Sequence, residues 1–176
     1  MINELPIEDY LKGLAETLNG DPIEKKKAIV VAARNYVLYY STVGKGMKFP
    51  GKPYDIDDNP EHSQKYVGYG YEKRSPLSAK SVDDTAGIVV KYQGNVVRAP
   101  YFSSDTGRTK SAAEVWGWKN ADFLIAIDDP YCAGKSQAGH GVGMSGCGAL
   151  GMAQAGKTYQ DILHNYYQNV TIEKVW

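Results

Sequence analysis

Apolar residues first recur at helical spacing near the start of the chain, where Ile7, Tyr10, Leu11, Leu14 and Leu18 share one face. This predicts a helix from about Pro6 to Leu18. Pro6 suits a first-turn position, Glu8 and Asp9 suit the positive helix start, and Asn19-Gly20 ends the run. A second helix is predicted to about Tyr40, with Asp21 as cap, Pro22 at the first helical position and Glu24 where a capping-box carboxylate sits. Its middle, Ala28-Ile29-Val30-Val31-Ala32-Ala33, is apolar on nearly all sides and implies deep burial, while Lys27 and Arg34 share the one charged stripe.

From Thr42 to about Ser81 the pattern fades into Gly, Pro, Asp and Asn, which predicts an irregular excursion or small lobe. Ile88 to Tyr92 and Val96 to Phe102 then read as two strands joined across Gln93-Gly94-Asn95, a hairpin. Phe123 to Ile127 is a further strand-like run. Ala149 to Ala155 reads as a helix stopped by Gly156. Thr158 can cap a last helix with Tyr159, Ile162, Leu163, Tyr166 and Tyr167 on one face, and Val170 to Val175 closes the chain as a strand. The elements add up to an α+β fold in one domain over residues 1–176, a buried central helix packed with antiparallel strands plus the small irregular lobe.

Composition narrows the function. Lys plus Arg and Asp plus Glu both number 20, so the chain lacks the basic excess of a nucleic-acid or anionic-membrane binder. No apolar run approaches the roughly 20 residues of a membrane helix. Met1 leads straight into an amphipathic segment without a leader pattern, which suits either a cytosolic chain or the mature part of an exported one. Tyrosine, at 14 copies against three Phe and three Trp, points to half-buried aromatic packing with wet hydroxyls, and secondarily to a sugar-binding groove.

Three local patterns could carry chemistry. Gly141-Val142-Gly143-Met144-Ser145-Gly146 has dinucleotide-loop spacing, but it follows loop-like residues instead of a buried strand, and the acidic Asp161 lies in a helical pattern. Cys132, His140 and Cys147 could hold zinc, the two cysteines could form a disulfide worth ~3 kcal/mol, or both could be free thiols. A Cys147–His140 nucleophilic pair lacks any surrounding signature. Glu16, on the predicted helix opposite the Leu11/Leu14/Leu18 stripe, reads from periodicity alone as a solvated surface residue.

Several stretches in order resemble the stage II sporulation protein D family, whose wider membership includes the amidase-enhancer proteins of bacterial cell walls. Pro6 through Glu16 resembles its opening helix. Glu24, Lys27-Ala28 and Val31-Ala32-Ala33-Arg34-Asn35-Tyr36 resemble its second. Asp84-Thr85-Ala86-Gly87 with Ile88 to Gly94 resembles its strand and hairpin. Tyr101 through Thr109 with Glu114-Val115-Trp116-Gly117 resembles its central signature, and Gly139 through Ser145 with Gly148-Ala149, then Tyr159 to Tyr167, its C-terminal block. Thr17-Leu18 stands where the family commonly has Met-Pro. Gly146-Cys147 replaces a Gln and an aromatic, so neither that glutamine's role nor a metal site carries over.

The resemblance implies a lytic transglycosylase acting on peptidoglycan glycan, on strands stripped of stem peptides, without a cofactor. Its acid/base falls on Glu16. It implies an extracytoplasmic setting, in the cell wall or an intermembrane space, with a cell-wall amidase as a further partner. The rivals are a non-catalytic amidase enhancer and a glycan-binding module. Substrate contacts are expected from Lys27 and Arg34, from Ser103, Ser104, Asp105 and Thr109 just after a strand, and from His140 and Ser145. Arg34 could grip a lactyl carboxylate of muramic acid, or instead pair internally with Glu16, Asp105 or a carbonyl. To act as an acid, Glu16 must be partly desolvated, with the segment around His140 and one or more Tyr covering it.

Overall fold

In the computed structural model, residues 2–41 and 48–176 are described; the start of the predicted excursion, residues 42–47, lies outside them. The order is α1 (Ile7–Lys12), α2 (Ile23–Ser41), α3 (Tyr71–Arg74), α4 (Pro76–Asp84), β1 (Ile88–Tyr92), β2 (Asn95–Val96), β3 (Tyr101–Phe102) and α5 (Ala112–Trp116). A 3-10 turn at Pro130–Cys132 follows, then β4 (Met144–Ser145), α6 (Gly146–Gln154), α7 (Tyr159–Tyr166) and β5 (Thr171–Lys174). The fold is α+β, with α2 at its centre.

Helix α2 is buried continuously from Ala28 to Tyr36 because apolar residues surround it there. One side, with Val31 and Ala32, packs into the main core with Val90, Leu124, Met144, Ile162, Leu163 and Tyr166. The other, with Val30 and Ala33, meets Leu11, Leu14 and Val82 in a smaller cluster. The polar residues within this buried run satisfy backbone groups of its neighbours. Asn35 donates to the carbonyls of Val90 and Val97 at 2.6 and 2.7 Å and accepts the Val90 N–H at 2.8 Å, so it stands in for a strand neighbour.

The central sheet is antiparallel in the order β2-β1-β5, with Val89 opposite Glu173 and Tyr92 opposite Asn95. Its hairpin turns at Gln93-Gly94, where both residues have positive φ, as a two-residue turn matched to strand twist requires. The predicted second strand is broken. Pro100 has no N–H for a ladder, and beyond it Tyr101 and Phe102 leave the hairpin to pair in parallel with Met144 and Ser145.

Other expectations need correcting. The first helix stops at Lys12, six residues short. Gly13 lies so close under the Tyr66 ring that a Cβ there would collide with it. From Gly13 onward the backbone bonds to a facing segment, Val67 N–H to Gly13 O and Ala15 N–H to Lys65 O, which is incompatible with helix. Leu18 is consequently 76% exposed instead of lying on an apolar stripe. Glu24 is turned away from its own helix start to accept the Tyr159 N–H at α7. The predicted irregular stretch holds helices α3 and α4. Phe123 to Ile127 is not a strand but an irregular segment buried only at Phe123 and Leu124, since its carbonyls accept from Ala112, Thr109 and Gln168, which lie on different parts of the chain. A capping box of Ser111 and Glu114 starts α5, a short helix beyond those expected from the apolar pattern.

Arg34 is fully buried. Its Nε and Nη2 donate to both oxygens of Glu8, at 3.0 and 2.6 Å, and Nη1 donates to the Ile88 carbonyl at 3.1 Å. Glu8 keeps some access to water, its side chain being 22% exposed. Removing either partner strands a charge, at a cost of about 3–5 kcal/mol. We expect Glu8→Ala to lower stability at least as much as Arg34→Met, because only the cation lacks a path to solvent. Urea denaturation of both variants checks this ordering.

Candidate active site

The segment leaving α1 carries Glu16 across to a facing stretch of chain. Leu14 bridges Tyr66 in antiparallel fashion, and the Lys65 N–H donates to Glu16 Oε1 at 2.6 Å. Beyond Glu16 the chain is pinned by Lys26, a fully buried lysine whose Nζ donates to Leu18 O at 2.5 Å, Ser78 Oγ at 3.1 Å and Thr17 Oγ1 at 3.4 Å. Burial pushes the Lys26 ammonium below its ordinary range. Glu16 is thus held from both sides although it lies in no regular element.

Its carboxyl is half-buried. Burial raises its pKa above the ordinary carboxylate value, and the Lys65 N–H, the Lys65 ammonium and the Tyr101 hydroxyl pull the other way without cancelling the rise. Tyr101 is itself fixed by Gln64, whose Nε2 donates to Tyr101 Oη at 3.0 Å while its Oε1 accepts from Tyr10 Oη at 3.2 Å. Gln64 is 3% exposed. Hydrogen bonds therefore run from Tyr10 through Gln64 to Tyr101, whose hydroxyl is near enough to Glu16 to favour its charged form.

Two clefts meet at Glu16. One, of about 310 Å³, is lined by Tyr36, Gln64, Arg98, Phe102 and His140 among others. The second, of about 600 Å³, is lined by Asp21, Lys25, Ser103, Ser104, Lys135 and Cys147 among others. Glu16, Tyr101 and Phe102 belong to both, so the acid stands where a groove passes from one compartment to the next. His140 closes the first compartment, packed against Trp116 and Phe102 with ring centroids 5.0 and 5.7 Å away. Burial lowers its pKa to about 4, aided by the nearby Arg98 charge, and its Nδ1 accepts the Val142 N–H at 3.1 Å. The ring is neutral at ordinary pH, with its proton on Nε2.

The residues singled out from sequence separate here. Glu16, His140, Ser103 and Ser104 line the groove. Lys27 pairs with Glu24 and Asp84, and Arg34 is enclosed with Glu8. Asp105, Thr109 and Ser145 are buried: Asp105 accepts the Gly107 N–H, Thr109 Oγ1 accepts that of Ile127, and Ser145 caps α6 by accepting that of Gly148. Cys132 and Cys147 form a disulfide that ties the 3-10 turn to the start of α6, so of the three alternatives for the cysteines, zinc and free thiols fall away. Arg98, Gln64, Lys25 and Lys135 escaped the sequence reading. Only Arg98 left a signal, as a lone charge within an apolar, strand-like run.

Asp105, Asp129 and Cys132 converge within the protein, with ligand atoms inside 4.8 Å of one another. Their chemistry is already occupied. The Cys132 sulfur is in the disulfide, and Asp129 accepts from Tyr166 Oη at 2.8 Å. Asp105 Oδ2 is buried without a hydrogen-bond partner among the described residues, and burial together with the nearby Asp105 charge pushes the Asp129 carboxyl above its ordinary range.

The chain belongs to the SpoIID family: residues 1–92 match the family model described as stage II sporulation protein. It is 35% identical to the amidase enhancer of Bacillus subtilis (strain 168) over 107 residues, covering 61% of this chain and 13% of that protein. It is 27% identical to the stage II sporulation protein D of the same organism over 168 residues, covering 93% of this chain and 49% of that one. An uncharacterized protein of Brachyspira hyodysenteriae is 29% identical over 259 residues, covering 98% of this chain and 68% of its own length. The chain thus spans half or less of the two Bacillus proteins. It is a cell-wall domain of this family, and none of its described helices is long and apolar enough to cross a membrane.

Burial raises the Asp129 pKa above its unfolded value, with the Asp105 charge adding to the rise. The stabilisation from its protonated form is complete below the ordinary carboxylate pKa and is lost as pH climbs through the raised folded value. An amide in its place can donate to Asp105 and still accept from Tyr166. We therefore expect Asp129→Asn to flatten the decline of the urea midpoint between pH 4 and pH 8; parallel curves for the two proteins would contradict a raised Asp129 pKa.

Proposed function

We propose that the domain is a lytic transglycosylase that cuts the glycan strand of peptidoglycan with Glu16 as its only acid/base. The observation that supports this reading is a half-buried carboxyl of raised pKa at the junction of two compartments, where a sugar bridge can lie with a ring on either side. Oε1 is anchored by the Lys65 N–H, so in this reading Oε2 carries the proton that is transferred.

Protonated Glu16 gives its proton to the bridging oxygen as the bond from that oxygen to C1 breaks. The resulting carboxylate takes the proton of the muramic C6 hydroxyl, whose oxygen closes onto C1 of the same sugar. Glu16 ends protonated, and the product is a 1,6-anhydro end. The nucleophile belongs to the substrate, so the second catalytic carboxylate that a hydrolase positions across the bond is not needed. Of the other acids on the groove walls, Asp21 is held by Lys25 and the Leu18 N–H, and Glu61 is exposed.

The similarity to an amidase enhancer supports a second reading, in which the groove holds glycan without cutting it. Mass spectrometry of digested glycan separates the two, since only the first yields anhydro-muramic ends. Replacing the acid in Glu16→Gln should lower that yield by about 10²–10⁴-fold with an unchanged thermal midpoint. Full activity in a folded Gln variant removes Glu16 from the chemistry.

A pH profile adds an independent check. The acid form is lost as pH rises through the Glu16 pKa, so the rate should fall on the alkaline side, above the ordinary carboxylate range. The Tyr101 hydroxyl favours the charged form, and Tyr101→Phe should move that limb to higher pH. A limb shifted downward would contradict the assignment.

A further inference from the structure

Arg98 is the one arginine beside Glu16 in the groove, and the charge pairs of the fold do not account for it. Among the described residues no carboxylate lies within ion-pair distance of it, and its Nε is buried without a hydrogen-bond partner. Aromatic rings hold it instead. Its guanidinium carbon lies 5.0 Å from the Trp118 ring centroid, 5.2 Å from that of Trp116 and 5.6 Å from that of Tyr40. Trp116 and Trp118 pack on each other at 4.7 Å, which gives the cation a stiff wall.

Stacking fixes the plane of the guanidinium but uses none of its N–H groups. The edge that lines the cleft therefore remains open to a ligand. The charges in and around this compartment come from several elements. Lys48, from the chain beyond α2, donates to the Tyr36 hydroxyl and adds a second positive charge. Asp57 Oδ2 lies 3.2 Å from His62 Nδ1, while its Oδ1 is buried without a hydrogen-bond partner and lies outside ion-pair distance of Arg98. His140 is neutral and Glu61 is exposed. Glu16, the remaining acid, is held by Lys65 and Tyr101.

We infer that Arg98 is a substrate-binding residue that takes a carboxylate on the O3 substituent of a muramic sugar lying next to Glu16. A planar, always-charged fork of N–H donors in an aromatic-walled pocket suits a carboxylate bound through both oxygens, while the neighbouring rings suit the face of a sugar. Two sources offer that group. In a peptide-free strand it is the lactyl carboxylate, close to the ring; in a peptide-bearing strand the lactyl group is an amide and the nearest carboxylates lie further along the stem. Arg98 and Glu16 line the same compartment, and the carboxylate nearest the sugar ring is the lactyl one, which favours that source.

This inference rests on the glycan reading of the groove, and the test keeps the two apart. Binding is measured by calorimetry in a Glu16→Gln background, so that strands are not consumed, with and without Arg98→Met. Four probes are compared: peptide-free strands, the same strands with lactyl carboxylates converted to methylamides, peptide-bearing strands, and N-acetylglucosamine oligomers. Arg98→Met should weaken binding of peptide-free strands by about 10- to 100-fold and leave the methylamide strands and the oligomers unaffected. Arg98→Lys, which keeps the charge and loses the fork, should show an intermediate loss and decides the matter should the Met variant fail to fold.

Equal losses on charged and uncharged probes, or no loss, overturn the inference while the glycan reading stands. A loss on peptide-bearing strands alone transfers the contact to the stem and overturns the lactyl assignment. Arg98-dependent binding by a wild-type chain that yields no anhydro ends keeps the carboxylate contact and removes the lyase. Absence of binding to every probe removes both.

Discussion

Arg34 cannot reach water, so the fold has to bring it a counter-charge, and the groove inherits its frame from that requirement. Glu8 meets the guanidinium with both oxygens, which fixes the rotation of α1 against α2. The same carboxylate accepts the N–H of Gly87, and Arg34 reaches the Ile88 carbonyl, so the start of β1 is referenced to the same pair. Four residues after α1 comes Glu16. From β1 the chain passes through the hairpin to Arg98 and Tyr101. The two walls of the site are thus indexed to one ion pair lying away from the groove, and a buried pair serves here as a registration device.

The parts of this arrangement that were legible in sequence are those where periodicity and burial agree. The all-round apolar middle of α2, the Thr158 cap of α7 and the Gln93-Gly94 turn each state a local preference that the tertiary structure keeps. Legibility failed where a tertiary contact outweighs the local pattern. The apolar spacing from Ile7 to Leu18 is a good helical stripe, yet the close approach of Tyr66 at Gly13 and the pull of the 65–67 segment on the backbone end the helix early. The stripe called polar by its Lys27 and Arg34 is split by burial: one member sits near the surface, the other inside.

The site shows the same division. Glu16 entered through resemblance alone, because nothing in its flanking residues announces a desolvated acid. The groups that line the smaller cleft beside it come mostly from residues 60–64, 98–102 and 139–140, three stretches with no mutual spacing in the chain. The polar cluster after β3 has the composition of a binding loop, yet its members divide between the groove and the interior. Ser103 and Ser104 line the groove, and Asp105 and Thr109 turn inward to hold backbone N–H groups. Polar residues next to a strand end report a turn as readily as a site, and only the fold decides.

A single acid that must give a proton and then take one back needs both of its charge states to be accessible. Burial alone would hold Glu16 protonated and make it a poor base for the second half of the proposed reaction. Hydrogen-bond donors alone would hold it ionised and make it a poor acid for the first. At Glu16 the two influences oppose each other on one carboxyl: the cleft wall removes water, and the Lys65 N–H and Tyr101 hydroxyl supply donors in its place. Tyr101 is itself positioned by Gln64, so its hydroxyl need not reorganise as charge moves on and off the carboxyl. Fixed donors within a partly dry wall keep the cost of the charge swing small in both directions, which is what acid and base work by one residue demands.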